Sequence, residues 1–135
     1  MRQQALLGRV AAIALGTAIV SIAPPAESQV GLERKILQQQ DFAIPGYEVV
    51  VSAVTIAVGG REGKHLHSGT LVGYVLEGEL TLELQGQPTK TVRAGESVVI
   101  EPGQVHEGIN KGTVPIKALA TFIVEKGKPL STPAP

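Results

Sequence analysis

The chain has 135 residues, in which twelve Lys and Arg balance twelve Asp and Glu, and only four aromatic side chains, Phe42, Tyr47, Tyr74 and Phe122. A neutral, aromatic-poor protein lacks both the basic groove and the stacking platform that nucleic acids require, so no nucleic-acid partner is expected. Cysteine is absent, which excludes disulfides, thiolate metal sites and thiol nucleophiles and throws any metal chemistry onto His, Asp and Glu.

At the N-terminus, Arg2 and Arg9 precede the uncharged run Val10 to Ala23, then Pro24-Pro25 and the small residues Ala26 and Ser28. A membrane-spanning helix needs about 20 apolar residues, and this run is shorter, so residues 1–28 read as a secretory signal peptide. Cleavage is expected before Gln29, with the bond after Ala26 as the alternative. The mature chain is then placed in the periplasm or outside the cell, with no membrane attachment. Residues 29–126 form one domain, and the Pro-rich segment 127–135 is expected to be a flexible tail.

After a charged, Gln-rich segment (Leu32 to Gln40), apolar runs of strand length alternate with Gly, Pro and polar breakers. Gln38 to Gln40 reads as a solvated loop, and Val30 to Ile44 as an arm able to pair with another subunit, giving a homodimer. Val49 to Val58 is β-branched and nearly continuous, as in a strand covered on both faces. Gly73 to Leu84 gives two strands bent at Gly78, and Leu80, Leu82 and Leu84 share one face of the second. Gln85 to Pro88 turns, Thr89 to Arg93 returns, Ala94 to Glu96 turns again, and Ser97 to Ile100 is another strand. After the Pro102-Gly103 turn, Ile116 to Val124 is the last strand. Many short strands in about a hundred residues predict an all-β fold, a sandwich or small antiparallel barrel.

Three histidines carry the chemistry. His65 and His67, one residue apart, project from the same side of an extended chain, close enough to bind one ion. Gly59 lies six residues before His65, and His106 follows Pro102-Gly103, with Asn110 four residues beyond. With these residues the sequence resembles the cupins, whose two motifs are G-x5-H-x-H-x3,4-E-x6-G and G-x5-P-x-G-x2-H-x3-N. Gly59, His65, His67 and Gly78 match the first, and Gly95, Gly103, His106 and Asn110 match the second. The resemblance implies a small jelly-roll barrel (a double-stranded β-helix) in which His65, His67 and His106 converge on a divalent metal ion.

Two positions depart from the pattern. Leu71 and Val72 stand where the first motif has its Glu, and Glu101 stands where the second has its Pro, with Pro102 following. Without the carboxylate, three neutral imidazoles leave the ion its full charge and an additional open position. Glu62 and Glu107 are the nearest substitutes in sequence, although Glu107 alternates with His106 and so points to the opposite face. Asn110 reads as a turn former. Leu71 and Tyr74 are candidate substrate contacts, although a Tyr on a strand more often packs than orients a substrate.

Two classes of function follow. One is a metal-dependent dioxygenase acting on a small diketone or phenolic substrate, as the resemblance suggests for three-His sites. The other is a non-enzymatic cupin that binds a metal or small molecule. Imidazole ligands suit iron, manganese, nickel, copper or zinc, and the donor types do not choose among them.

Overall fold

The computed structural model describes residues 29–135, so the proposed signal peptide lies outside the described residues. Ten strands follow one another: β1 (Val30–Asp41), β2 (Tyr47–Arg61), β3 (His65–Leu66), β4 (Thr70–Glu77), β5 (Glu79–Leu84), β6 (Lys90–Arg93), β7 (Ser97–Ile100), β8 (His106–Ile109), β9 (Ile116–Glu125) and β10 (Thr132–Pro133). Among the described residues there is no helix. Every strand pairing is antiparallel. The sheet runs β10-β3-β8-β2-β9-β4-β7, with β1 on β2 and with β5 joining β6 to β8, and it curls into a nearly closed barrel.

Alternation along the strands fills the interior. On β2, Val50, Ser52, Val54 and Ile56 point inward, and on β9, Ile116, Ala120, Phe122 and Val124 do so. Their register partners match inward to inward: Val50 faces Phe122, Ser52 faces Ala120, and Ile56 faces Ile116. Leu71, Val75, Leu82, Leu84, Val92 and Ile100 close the same core. The shared face predicted for β5 holds, with Leu82 and Leu84 buried and Leu80 partly so.

Three expectations are corrected. The run within β2 is not covered on both faces: Val51, Ala53 and Thr55 are only half-buried, and Val58 is 53% exposed. Gln38 to Gln40 is strand, not loop, because backbone pairing with Val49 to Val51 needs no apolar side chain, and the amides remain in solvent. One edge of Val30 to Asp41 pairs with the chain's own β2.

The Pro-rich tail does not fray either. Thr132 and Pro133 pair with Leu66 and His65, the Ala134 amide donates to the Lys64 carbonyl at 3.0 Å, and Ala134 is buried. The Ser68 hydroxyl donates to the Pro129 carbonyl at 2.6 Å. Prolines lack a donor but keep their acceptors, and here those acceptors meet donors from the segment just after β3.

Gly78 makes the bend between β4 and β5 possible. Its φ is +81°, and a Cβ there would sit 2.9 Å from the Pro115 carbonyl oxygen, a backbone atom that cannot step aside. Gly78→Ala is therefore expected to cost more than the about 1–2 kcal/mol that a left-handed backbone alone imposes. Urea unfolding of the two proteins measures it, and an unchanged midpoint would show that the bend tolerates a side chain.

Candidate metal centre

His65 opens β3 and stands opposite His106, the first residue of β8. His67 lies two residues beyond His65, on the same side of the extended chain. The turn before β8 is bonded to this segment, since the Gly103 amide donates to the His67 carbonyl at 2.9 Å. That bond joins the two sequence motifs in space. All three imidazoles are buried, at 3%, 2% and 2% exposure for His65, His67 and His106. Their ring centroids are 4.9 Å apart for His65 and His67, 4.3 Å for His65 and His106, and 4.8 Å for His67 and His106. The edge of Phe122 packs on His67 at 5.0 Å.

Each ring is held by Nδ1. His65 Nδ1 bonds the Gly63 carbonyl at 2.7 Å, His67 Nδ1 the Leu130 carbonyl at 2.7 Å, and His106 Nδ1 the Gln104 carbonyl at 2.9 Å. A carbonyl can only accept, so each Nδ1 carries a proton, and in a neutral ring Nε2 then carries the lone pair. The His106 Nε2 is buried without any hydrogen-bond partner. A buried acceptor left bare is costly, and a cation shared with the other two rings would satisfy it.

The donor set therefore fits a divalent ion. One nitrogen from each ring lies within 4.8 Å of the others. Two nitrogens on one tetrahedral ion are about 3.4 Å apart, so the ligand nitrogens would draw together by up to about 1.4 Å on loading.

Burial also fixes the charge. It holds the His67 imidazole far below its ordinary 6.5, at about 3, outweighing the Leu130 carbonyl, which favours the proton; the neighbouring His106 and His65 lower it further. His106 is lowered for the same first reason, with the Gln104 carbonyl opposing. Both rings are thus neutral at neutral pH, the state a metal ligand needs.

Among the described residues, no carboxylate joins the cluster. Leu71 is packed in the core beside Phe122 and Ile100. Tyr74, three residues on, projects from the opposite face and is 43% exposed, so the structure does not gather it with the imidazoles. Glu107 does point away from His106, as alternation predicts, and its carboxylate is taken by Arg61. Glu62 accepts from Arg34 and from the Gly108 amide. Asn110 is the turn former expected: its Oδ1 accepts from the Gly112 amide, while its Nδ2 donates to the Ile56 and Val114 carbonyls.

Two features had no sequence signal. One is the Leu130 carbonyl, because a backbone acceptor leaves no trace in residue type. The other is the use made of Glu107, whose partner Arg61 is 46 positions away. A cavity of about 380 Å³, within the range of small-molecule sites, opens beside His106 and is lined also by Lys64, Glu83, Leu84, Gln85, Gln87 and Glu107.

Comparison with known proteins agrees with this geometry. The family model described as Cupin domain matches residues 52–127, more than half of the chain, and the chain belongs to the cupin family. A cupin-like protein from Thermotoga maritima is similar in structure, with a TM-score of 0.66 at 17% identity over 87% of this chain and 89% of that one. A Klebsiella pneumoniae protein with a double-stranded β-helix domain gives 0.60 at 20% identity, over 84% and 90%. The polyketide cyclase RemF from Streptomyces resistomycificus gives 0.61 at 21% identity, over 78% and 72%. No curated protein sequence matches the chain.

Two outcomes are expected. Because His67 and His106 are neutral when folded but regain an ordinary pKa when unfolded, the unfolded chain binds more protons as pH falls through 6.5 toward 3. Metal-free protein should thus lose stability on acidification from about pH 7 to about pH 5, and His67→Asn should flatten that slope. Urea midpoints across this range check it. Truncation after Lys128 removes the acceptor for His67 Nδ1 and should weaken metal binding by about 10- to 100-fold, read by metal titration.

Proposed function

We propose that this cupin binds one divalent metal ion through His65, His67 and His106 and acts as a metal-dependent dioxygenase on a small diketone or phenolic substrate. The observation that carries the reading is the convergence of three rings whose Nδ1 atoms are all engaged, with the buried Nε2 of His106 left unpartnered. A bound ion supplies Lewis acidity toward an oxygen donor and, if it is iron, a redox partner for dioxygen.

The chain's own residues do the rest. The three carbonyl acceptors fix the tautomers, so the ligand lone pairs are directed before any ion arrives. Phe122, Leu71 and the neighbouring aliphatic core exclude water from one side of the rings. The cavity beside His106, which neither His65 nor His67 lines, is large enough for a small molecule, with Lys64, Glu83, Gln85 and Gln87 as polar contacts. With no carboxylate among the ligands, the site favours a substrate that arrives as an anion, such as an enolate or phenolate. The likeness to a polyketide cyclase supports an enzymatic use of this scaffold.

A second reading, a non-enzymatic module for a metal or small molecule, is favoured by one observation: the one fully buried carboxylate among the described residues, Glu107, is bound to Arg61, which ties it up against service as a general base. Under either reading, the mature protein is an exported, periplasmic or secreted homodimer. The support for a dimer is that, among the described residues, β1 pairs with β2 alone, which leaves its other edge for a second copy.

The test is anaerobic loading with Fe(II) followed by oxygen uptake with a panel of diketones and phenols. Oxygen consumption coupled to substrate loss is expected, together with loss of bound metal in His65→Ala. Stoichiometric metal without uptake across the panel selects the binding module. Substoichiometric metal that His65→Ala leaves unchanged overturns both readings.

A further inference from the structure

We infer that Glu107 is a positioning residue for His65, acting through Gly63, and that Arg61 holds Glu107 to this task; the inference deepens the metal-binding reading above and rests on it. The Glu107 side chain is fully buried. Arg61 grips it with both arms of the guanidinium, Nε to Oε1 at 2.6 Å and Nη2 to Oε2 at 2.7 Å. Oε1 also accepts from the Gly63 amide at 3.2 Å, and the Gly63 carbonyl accepts from His65 Nδ1 at 2.7 Å.

The N–H and C=O of Gly63 belong to successive peptide units, so the effect of Glu107 is positional rather than electronic. Gly63 has a φ of +73° and no side chain with which to anchor itself. Its carbonyl can stay on His65 only if something else holds the residue, and the carboxylate does so on the amide side. The same loop is fastened to β8 a second time: the Glu62 amide donates to the Gly108 carbonyl at 2.9 Å, and the Gly108 amide donates to Glu62 Oε2 at 3.0 Å. A Cβ at Gly108 would fall 2.5 Å from that oxygen, so the loop lies directly on the strand.

A buried ion pair is weak support for stability, because an apolar pair of similar volume commonly does as well. What an apolar pair could not supply is an acceptor of fixed geometry for Gly63. The arrangement bears on one ring, since the Gly63 carbonyl holds His65 while His67 and His106 are oriented by the Leu130 and Gln104 carbonyls.

The experiment compares full-length wild type with Glu107→Gln, both labelled with ¹⁵N-histidine and free of metal. Long-range imidazole spectra report which ring nitrogen bears the proton and how fast it exchanges. In the wild type, His65 should show a slowly exchanging Nδ1 proton. In Glu107→Gln, His65 should lose this protection and populate both tautomers while His67 is unchanged, and Co(II) affinity should fall about 10- to 100-fold with an altered visible spectrum. An unchanged His65 spectrum, or equal loosening of all three rings, overturns the proposal.

Should Glu107→Gln fail to fold, Arg61→Lys keeps the charge but loses the fork, and the same selective effect at His65 is expected, smaller in size. No selective change there also overturns the proposal. The two readings fail separately: wild type that binds no Co(II) refutes the metal site, while the ¹⁵N spectra still decide the role of Glu107.

Discussion

Burial holds the His67 and His106 imidazoles neutral in the interior of this barrel, since an unpaired charge removed from water is costly to keep. These two and His65 lie in van der Waals range of one another, and each ring donates its Nδ1 hydrogen to a backbone carbonyl. Burial selects the charge state and the carbonyls select the tautomer. What remains is a set of lone pairs on Nε2, so a structural constraint on buried polar groups leaves behind a ligand set.

The carbonyls have different origins, which makes the three rings unequal. His65 and His106 each use the carbonyl two residues earlier, within their own turns, whereas His67 uses one from the C-terminal tail, 63 residues away. The tail is thus part of the site and not an appendage. The turn leading to His106 is stitched to His67 by the Gly103 amide, and the loop leading to His65 is clamped on β8 by Glu62 and Glu107. Few of these contacts are hydrophobic, yet they decide where the rings point; the aliphatic core decides only that there is a barrel to point into.

Replacement of the family's carboxylate by Leu71 changes electrostatics more than shape. Leu71 packs with the core beside Phe122, so the position is spent on stability. The charged side chains that act on His106, Glu62 and Arg34, pair with each other. An ion on three imidazoles would then keep its double charge, and the compensating anion would have to come from the bound molecule.

Much of the fold was legible from residue order. The alternation Leu80, Leu82, Leu84, the β-branched run in β2, the bend at Gly78 and the strands Ser97 to Ile100 and Ile116 to Val124 all follow from side chains with one wet and one dry face. Strands β1 and β10 did not announce themselves, because Gln-rich and Pro-rich segments pair through backbone and bury little of their own. The H-x-H spacing established that His65 and His67 share a side, and the resemblance to cupins brought His106 into the set.

By itself, the sequence determined an all-β chain without thiols, with its three histidines in cupin spacing and without the usual carboxylate. Only the tertiary structure decided that His106 stands opposite His65 across a strand pair, that the tail supplies the acceptor for His67, and that Glu107 serves Arg61 and Gly63. The physical reason is common to all three. Residue type and spacing encode local direction, but strand register and backbone acceptors bring together groups some forty to sixty positions apart, and neither is written in side-chain chemistry.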